Sequence, residues 1–436
     1  MKSDGSIEAT IERLKATPPV RLINLPRTYD VMKDQRLDAM VATTHRNLYY
    51  CSSHMPDSVL GDFQDLNAAA IIPADPKGQP TLVASDYDLA YLITHPTWLP
   101  QLRMFGAKER SSATFLLEVL SKGIGIETPL REPLRASYAA TRATVEPDVN
   151  SALARALEDS LPTGQLVVAF DDLRVGHEMR RRLGDRLHVV DALHIFRKIR
   201  MIKTPAEVDL LRKAAEINDN AVMDAAKAAT AGRPMSDMVN AYRMSMVRQG
   251  GTFMGRRGMM FGAGPDGGFV LDNNYAEQKI LKKGDSVVFD CVGKYEMYHC
   301  DIARTGIVEQ LAPRMSELHA VVREGLAAAE AKLKPGANTE DSKAAAASVL
   351  SKAGLSLELT TLAWHNVGLD ITEYAHPSER MKGWIVEPGM VMNFEVFHRD
   401  PDVGGVHLED SVHVTPKGLE YFSKLPRDVI VTGAAR

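Results

Sequence analysis

Cysteine is scarce in this chain, with three among 436 residues. Cys51, Cys291 and Cys300 make no disulfide framework, which agrees with a reducing compartment. Also lacking is any run of about eighteen apolar residues, the length needed to span a bilayer. The opening Met1-Lys2-Ser3-Asp4-Gly5-Ser6 has no apolar signal core, so a cytoplasmic protein without a membrane partner is expected. Charge of one sign is not in excess: 52 Lys and Arg stand against 56 Asp and Glu, interspersed, for a net charge of −4. That balance leaves no electrostatic footprint for nucleic acid. Two short basic runs occur. Arg180-Arg181-Arg182 reads as solvated or ion-paired, and Arg256-Arg257 lies nearer the site discussed below. Sequence repeats and low-complexity segments are absent.

What is present points to a folded chain of two or three domains, since 45% of the residues are hydrophobic, enough for sizeable cores. From Pro26 to Arg197, helical and strand-like pieces alternate. Thr28–Gln35 and Ser151–Glu158 read as helical; Leu37–Thr43, Ala68–Ile72, Gln165–Phe170 and His188–Val190 read as strands, which predicts an α/β domain. A boundary follows. In Thr204-Pro205-Ala206-Glu207, Thr204 suits an N-cap, Pro205 the first helical position and Glu207 the reciprocal member of a capping box. The helix it opens has the apolar stripe Val208, Leu211, Ala215 and Val222 and ends before Gly232. The expected domains are therefore residues 1–198 and 199–436.

Within the second domain, Val287 to Thr305 forms two β-branched runs that read as a hairpin turning at Gly293-Lys294, each run carrying one aspartate. Asp290 and Asp301 would then face each other. A carboxylate in an apolar strand costs several kcal/mol or more unless compensated, so the pair calls for a cation or a shared proton. His365, Glu395 and Glu409 sit downstream in similar strand-like settings. Four carboxylates and one imidazole suit two divalent cations such as Mn, Co, Fe or Zn. Cys291 and Cys300 adjoin the aspartates, but period-two alternation turns them to the opposite face, as packing residues. Gly262-Ala263-Gly264-Pro265-Asp266-Gly267 matches a dinucleotide-binding pattern by letter only. No helical pattern follows it, so it reads as a turn-rich loop. Helices are expected over Ser236–Arg248, Pro313–Leu333 and Thr339–Ala353, with the remaining strands carrying the site: an α+β domain.

The order Asp290, Asp301, His365, Glu395, Glu409 resembles the M24 metallopeptidase superfamily, in particular its Xaa-Pro aminopeptidase and prolidase branch. So do Gly284-Asp285-Ser286-Val287-Val288-Phe289-Asp290, Glu387-Pro388-Gly389-Met390-Val391 and Leu408-Glu409-Asp410-Ser411-Val412-His413-Val414-Thr415. Leu37 to Thr43, followed by Asn47-Leu48-Tyr49-Tyr50, resembles the creatinase-type N-terminal domain of those enzymes. The resemblance implies an α/β N-terminal domain plus an α+β pita-bread catalytic domain, a homodimer, and two divalent metal ions held by those five residues. It also implies hydroxide attack on an amide bond of a small-molecule or short-peptide substrate, with Glu395 as proton shuttle.

Four positions depart from that pattern. The branch has a His in the loop before the first metal aspartate, where this chain has Leu271-Asp272-Asn273-Asn274-Tyr275. It has others four before and seven after the ligand His, here Thr361 and Thr372. Its Arg two before the last glutamate is His407 here. The missing histidines would hydrogen-bond the substrate carbonyl and the oxyanion, so a non-peptidase reading stands beside the peptidase one: a small-molecule amide or amidine hydrolase, or a lyase of the dimethylsulfoniopropionate type. A binding module resembling the peptidase-like domains of histone chaperones is a third reading, which retention of all five ligands opposes. His376, in Ala375-His376-Pro377, is equally read as a replacement acid or substrate ligand and as a surface-loop histidine. His299 and His398 are weaker candidates.

Overall fold

The computed structural model describes residues 19–55, 67–106, 145–253, 259–269, 278–374 and 382–433. The chain divides into two compact units, Met1–Ile199 and Arg200–Arg436.

The first unit is built on a six-stranded sheet of β1 (Ala39–Ala42), β2 (Ala69–Pro73), β3 (Thr81–Ser85), β4 (Gln101–Phe105), β5 (Leu166–Phe170) and β6 (Leu187–Asp191). Their order is β4-β3-β2-β1-β5-β6. The β1–β5 and β5–β6 pairs are parallel and β1–β2 is antiparallel. Continuous apolar runs such as Leu166-Val167-Val168-Ala169-Phe170 suit strands covered on both faces. Val41, Ile71, Val168 and Phe170 pack with Leu153 and Leu157 of the helix Val149–Ser160. The Asp171 carboxylate, at the end of β5, accepts hydrogen bonds from the Thr43 and Thr44 amides and from Asn47 Nδ2. It thereby holds the start of the helix His45–Ser52. The Arg180–Arg182 run is paired, with Glu178 and Asp185 among its partners.

The second unit opens with the helix Pro205–Ala228, and its capping box is complete: the Thr204 side chain accepts from the Glu207 amide and the Glu207 side chain accepts from the Thr204 amide. Helices Met235–Arg248, Pro313–Glu330 and Thr339–Lys352 follow the sequence expectation closely. The sheet comprises β7 (Thr252–Phe253), β8 (Met259–Ala263), β9 (Ser286–Tyr295), β10 (Tyr298–Val308), β11 (Thr360–Asn366), β12 (Val391–Asp400), β13 (Gly404–Thr415), β14 (Gly418–Tyr421) and β15 (Ile430–Thr432). Its main path runs β11-β12-β13-β10-β9-β7. All of its pairs are antiparallel except β10–β15. The two units thus have the expected classes, α/β and α+β.

The β9–β10 hairpin differs from the sequence reading in one respect. Its turn is at Glu296-Met297, both with left-handed φ (47° and 66°), and Gly293 and Lys294 lie inside β9. Two positive φ values mark the type I′ geometry that matches strand twist, here adopted without glycine or asparagine. Gly293 serves packing instead, because a Cβ there would meet Met246 Cε at 2.7 Å.

Alternation along the central strands separates a helix-facing side from a site-facing side. Leu362, Val396 and Leu408 are cross-strand neighbours on β11, β12 and β13. They join the core made with Leu318, Val322 and Leu326 of Pro313–Glu330 and Leu350 of Thr339–Lys352. Each fully buried aliphatic side chain of this kind stabilises by about 1.5–3 kcal/mol. The intervening residues Ala363, Glu395, Phe397, His407 and Glu409 project the other way. On β9 and β10 the same alternation sends Cys291 and Cys300 toward the Pro205–Ala228 helix, where Asn218 Nδ2 donates to the Cys291 carbonyl and lies 3.9 Å from Cys300 Sγ. All three cysteines are buried and none is in a disulfide.

The motif-like glycines at 262–267 end β8 and enter a single 3-10 turn, Pro265–Gly268. No α-helix opens there among the described residues.

Candidate metal centre

Five strands bring the five expected ligands together. Asp290 comes from β9, Asp301 from β10, His365 from β11 by way of its neighbour β12, Glu395 from β12 and Glu409 from β13. Glu395 pairs directly with Glu409, and Ala303 of β10 pairs with both Glu409 and Asp290. Asp301 is opposite Val292, so the two aspartates are diagonal neighbours rather than facing residues. Asp290, Asp301, His365 and Glu409 are buried, while Glu395 is partly open.

Two donor groups share Glu409. His365 Nε2 lies 3.3 Å from Glu409 Oε1 and 3.7 Å from Asp301 Oδ2. His407 Nε2 lies 3.2 Å from Glu395 Oε2 and 3.9 Å from Glu409 Oε2, and its Nδ1 is 3.8 Å from Asp290 Oδ2. Within each trio, Asp301-His365-Glu409 and Glu395-His407-Glu409, one ligand atom per residue lies within 4.8 Å of the others. The two oxygens of one glutamate therefore face two different sets of donors, as in a bridging carboxylate.

Burial and like charge set the protonation of this cluster. Burial first, then Glu409 and Glu395, push the Asp290 carboxyl up to about 8 against the opposing pull of His407. Burial, Glu409 and Asp290 raise Asp301 well above the carboxylate range. Burial lowers the affinity of His365 for its proton, but the Glu409 hydrogen bond and charge outweigh it and raise the pKa. His407 is raised in the same way by Glu395 and Asp290 against burial. Glu395 is lowered, since contact with His407 outweighs its desolvation. Without cations, the site must take up protons to relieve repulsion among four carboxylates.

The residues fit divalent cations. Asp301 Oδ1 and both ring nitrogens of His407 are buried with no hydrogen-bond partner, an uncommon and costly state for polar atoms inside a protein. An outer layer fixes the donors. His365 Nδ1 lies 3.3 Å from the Asn366 carbonyl, which leaves Nε2 facing the carboxylates. Asn393 Nδ2 donates to Glu409 Oε1 at 3.0 Å and to the Asp301 carbonyl at 2.7 Å. Arg304, fully buried, donates to the Glu409 carbonyl and pairs with Asp410 at 2.7 Å.

Residues 209–416 match the family model for Metallopeptidase family M24. That match lies within the second unit. A 236-residue stretch is 28% identical to an Xaa-Pro dipeptidase of Pyrococcus horikoshii, covering 54% of this chain and 66% of that protein. The likeness to an Xaa-Pro dipeptidase of Pyrococcus furiosus is the same, at 28% over 54% and 67%. The chain thus matches about two thirds of the length of these M24 relatives. Among solved structures, a prolidase from Pyrococcus horikoshii OT3 superposes with a TM-score of 0.66 at 19% identity, over 93% of this chain and 99% of that one. An Xaa-Pro dipeptidase from Bacillus anthracis gives 0.67 at 18%, over 97% and 99%. These likenesses show the fold: an α/β unit followed by the pita-bread unit of M24 proteins.

The other sequence candidates fare differently. His299 Nδ1 lies 3.0 Å from the Gly368 carbonyl, and His398 Nδ1 lies 2.9 Å from Thr360 Oγ1, so both are engaged outside the cluster. Thr361 stands on the site face of β11 and Thr372 is exposed. His376, the Asn273-Asn274 segment and Arg256-Arg257 lie outside the described residues. Sequence reasoning noted His407 only as a replaced arginine, although its period-two spacing from Glu409 was the signal that it shares that ligand's face. It missed Arg399. That guanidinium lies 4.0 Å over the Phe397 ring, donates to Thr361 Oγ1 at 2.9 Å, and its charge acts on Glu395.

Proposed function

We propose that this chain is a dinuclear metal-dependent hydrolase that cleaves the amide bond of an Xaa-Pro dipeptide or a similarly small substrate. The observation that carries the reading is the shared Glu409 between two donor trios, together with buried polar atoms that have no hydrogen-bond partner and that cations would satisfy. Asp290, Asp301, His365, Glu395 and Glu409 would hold two divalent ions, Mn, Co, Fe or Zn. Such ions would lower the pKa of a bound water to about 7 and polarise a carbonyl. The chain's own groups supply the rest. Glu395, the partly open carboxylate, would take a proton from the attacking water and pass it to the leaving amine. Arg399, fixed by Thr361 and Phe397 on the same strand face, supplies the positive charge that a short peptide's carboxylate seeks. His376 is proposed as a further acid or substrate ligand. Three free thiols agree with a cytoplasmic location; the homodimer rests on resemblance alone.

Thr361 favours the second reading, a non-peptide amide. Its hydroxyl cannot carry a proton at neutral pH, and it is already bonded to Arg399. Turnover of Xaa-Pro dipeptides and of small N-acyl amides by protein loaded separately with Mn, Co, Zn and Fe distinguishes the two. Dipeptide release lost in Asp301→Ala supports the peptidase; release from N-acyl amides alone moves the substrate class; neither, with metal bound, removes the hydrolase reading.

A further inference from the structure

His407 is fully buried, and the protein spends several contacts on its placement. Its backbone amide donates to Thr305 Oγ1 at 2.9 Å. The Phe397 ring stacks on the imidazole with centroids 4.4 Å apart and planes 14° off parallel. Yet neither ring nitrogen has a hydrogen-bond partner. His299 and His398 each engage a nitrogen locally, at the Gly368 carbonyl and Thr360 Oγ1; His54 also leaves both nitrogens without a hydrogen bond, with Asp88 at 3.8 Å, whereas three carboxylates, Asp290, Glu395 and Glu409, surround His407. His407 instead aims both nitrogens at carboxylates. Its distance of 3.2 Å to Glu395 matches a spacing between neighbouring ligands of one ion, and Glu409 Oε2 lies just beyond that range at 3.9 Å. Donors about 2.0–2.2 Å from a cation stand roughly 3–3.5 Å apart.

We propose that His407 is itself a metal ligand, contributing Nε2 beside Glu395 and Glu409 Oε2, so that each of the two cations carries one imidazole. The inference rests on the proposed metal centre and adds a sixth ligand to it. Its chemical consequence is metal preference. Imidazole suits Fe, Co and Zn, whereas an all-oxygen site suits Mn. The second imidazole therefore shifts the centre away from Mn relative to one held by His365 and carboxylates.

Cobalt-loaded protein labelled with nitrogen-15 at histidine tests this by proton NMR. Two hyperfine-shifted, exchangeable imidazole N–H signals are expected in the wild type, and one of them is lost in His407→Asn together with one equivalent of bound cobalt. One signal in the wild type overturns the inference while leaving the metal centre intact, and this count decides even where the variant fails to fold. Absence of cobalt uptake overturns both. In a Mn and Co competition, the Mn share bound should rise several-fold in the variant; an unchanged share contradicts the preference.

Discussion

Glu395 and Glu409 stand directly opposite each other in the β12–β13 ladder. Like charges in that relation destabilise a sheet, and ionising Asp290 and Asp301 would add to the repulsion. Divalent cations should therefore raise stability. At a metal concentration a hundredfold above Kd the gain is about 2.7 kcal/mol, so chelation should lower Tm by several degrees in a thermal melt. Reloading should restore it, and Glu409→Ala should show no such response.

Metal uptake should also release protons. Asp290, raised to about 8, and Asp301, raised further, hold protons in the metal-free protein at neutral pH. Both must lose them to bind a cation. Affinity should then climb as pH rises through about 8, and calorimetry in buffers of different ionisation enthalpy should reveal the protons released.

Glu373 anchors the loop that follows the His365 strand. It is fully buried, 2.7 Å from Lys203 Nζ and 3.2 Å from Arg200 Nη2. Removing one partner of a buried pair costs about 3–5 kcal/mol, because the others keep uncompensated charge. Glu373→Ala should lose that much in urea denaturation. A Lys203→Met, Glu373→Met double variant should lose less than the single one.

Burial pushes the Glu207 carboxyl up to about 7, against Lys203 and the Thr204 amide and with help from Glu373. An acid whose folded pKa lies above its unfolded 4.5 binds its proton more tightly when folded. Its contribution is complete below about 4.5 and lost as pH rises through about 7, an effect on the order of 3 kcal/mol. Glu207→Gln, which still accepts the Thr204 amide, should remove that part of the pH dependence of stability while leaving acidic stability near wild type.

Arg399 gives a kinetic expectation. If it receives the substrate carboxylate, Arg399→Ala should raise KM for dipeptides at least tenfold with a smaller change in kcat, and amidated dipeptides should show little difference between variant and wild type.

The sequence made the local features legible. Thr204, Pro205 and Glu207 form a cap within four residues, and the helices over 313–330 and 339–352 follow from periodicity and punctuation. The five candidate ligands were picked out by their order, which a family resemblance carries. The hairpin turn was misplaced at Gly293 because glycine usually marks a turn, whereas here Gly293 lies inside β9 close against Met246 and Asn218, and Glu296-Met297 take the left-handed φ. The place of His407 depends on strand register, which sets it beside Glu395 of another strand. Such pairing is not encoded by spacing along one strand.

The most direct measurement is metal content per chain after chelation and reloading, by elemental mass spectrometry on wild type and Glu409→Ala. The account expects two ions in the wild type and, because one glutamate serves both donor trios, loss of both in a variant that circular dichroism shows to be folded. A wild type that binds none, or a folded variant that still binds two, would contradict it.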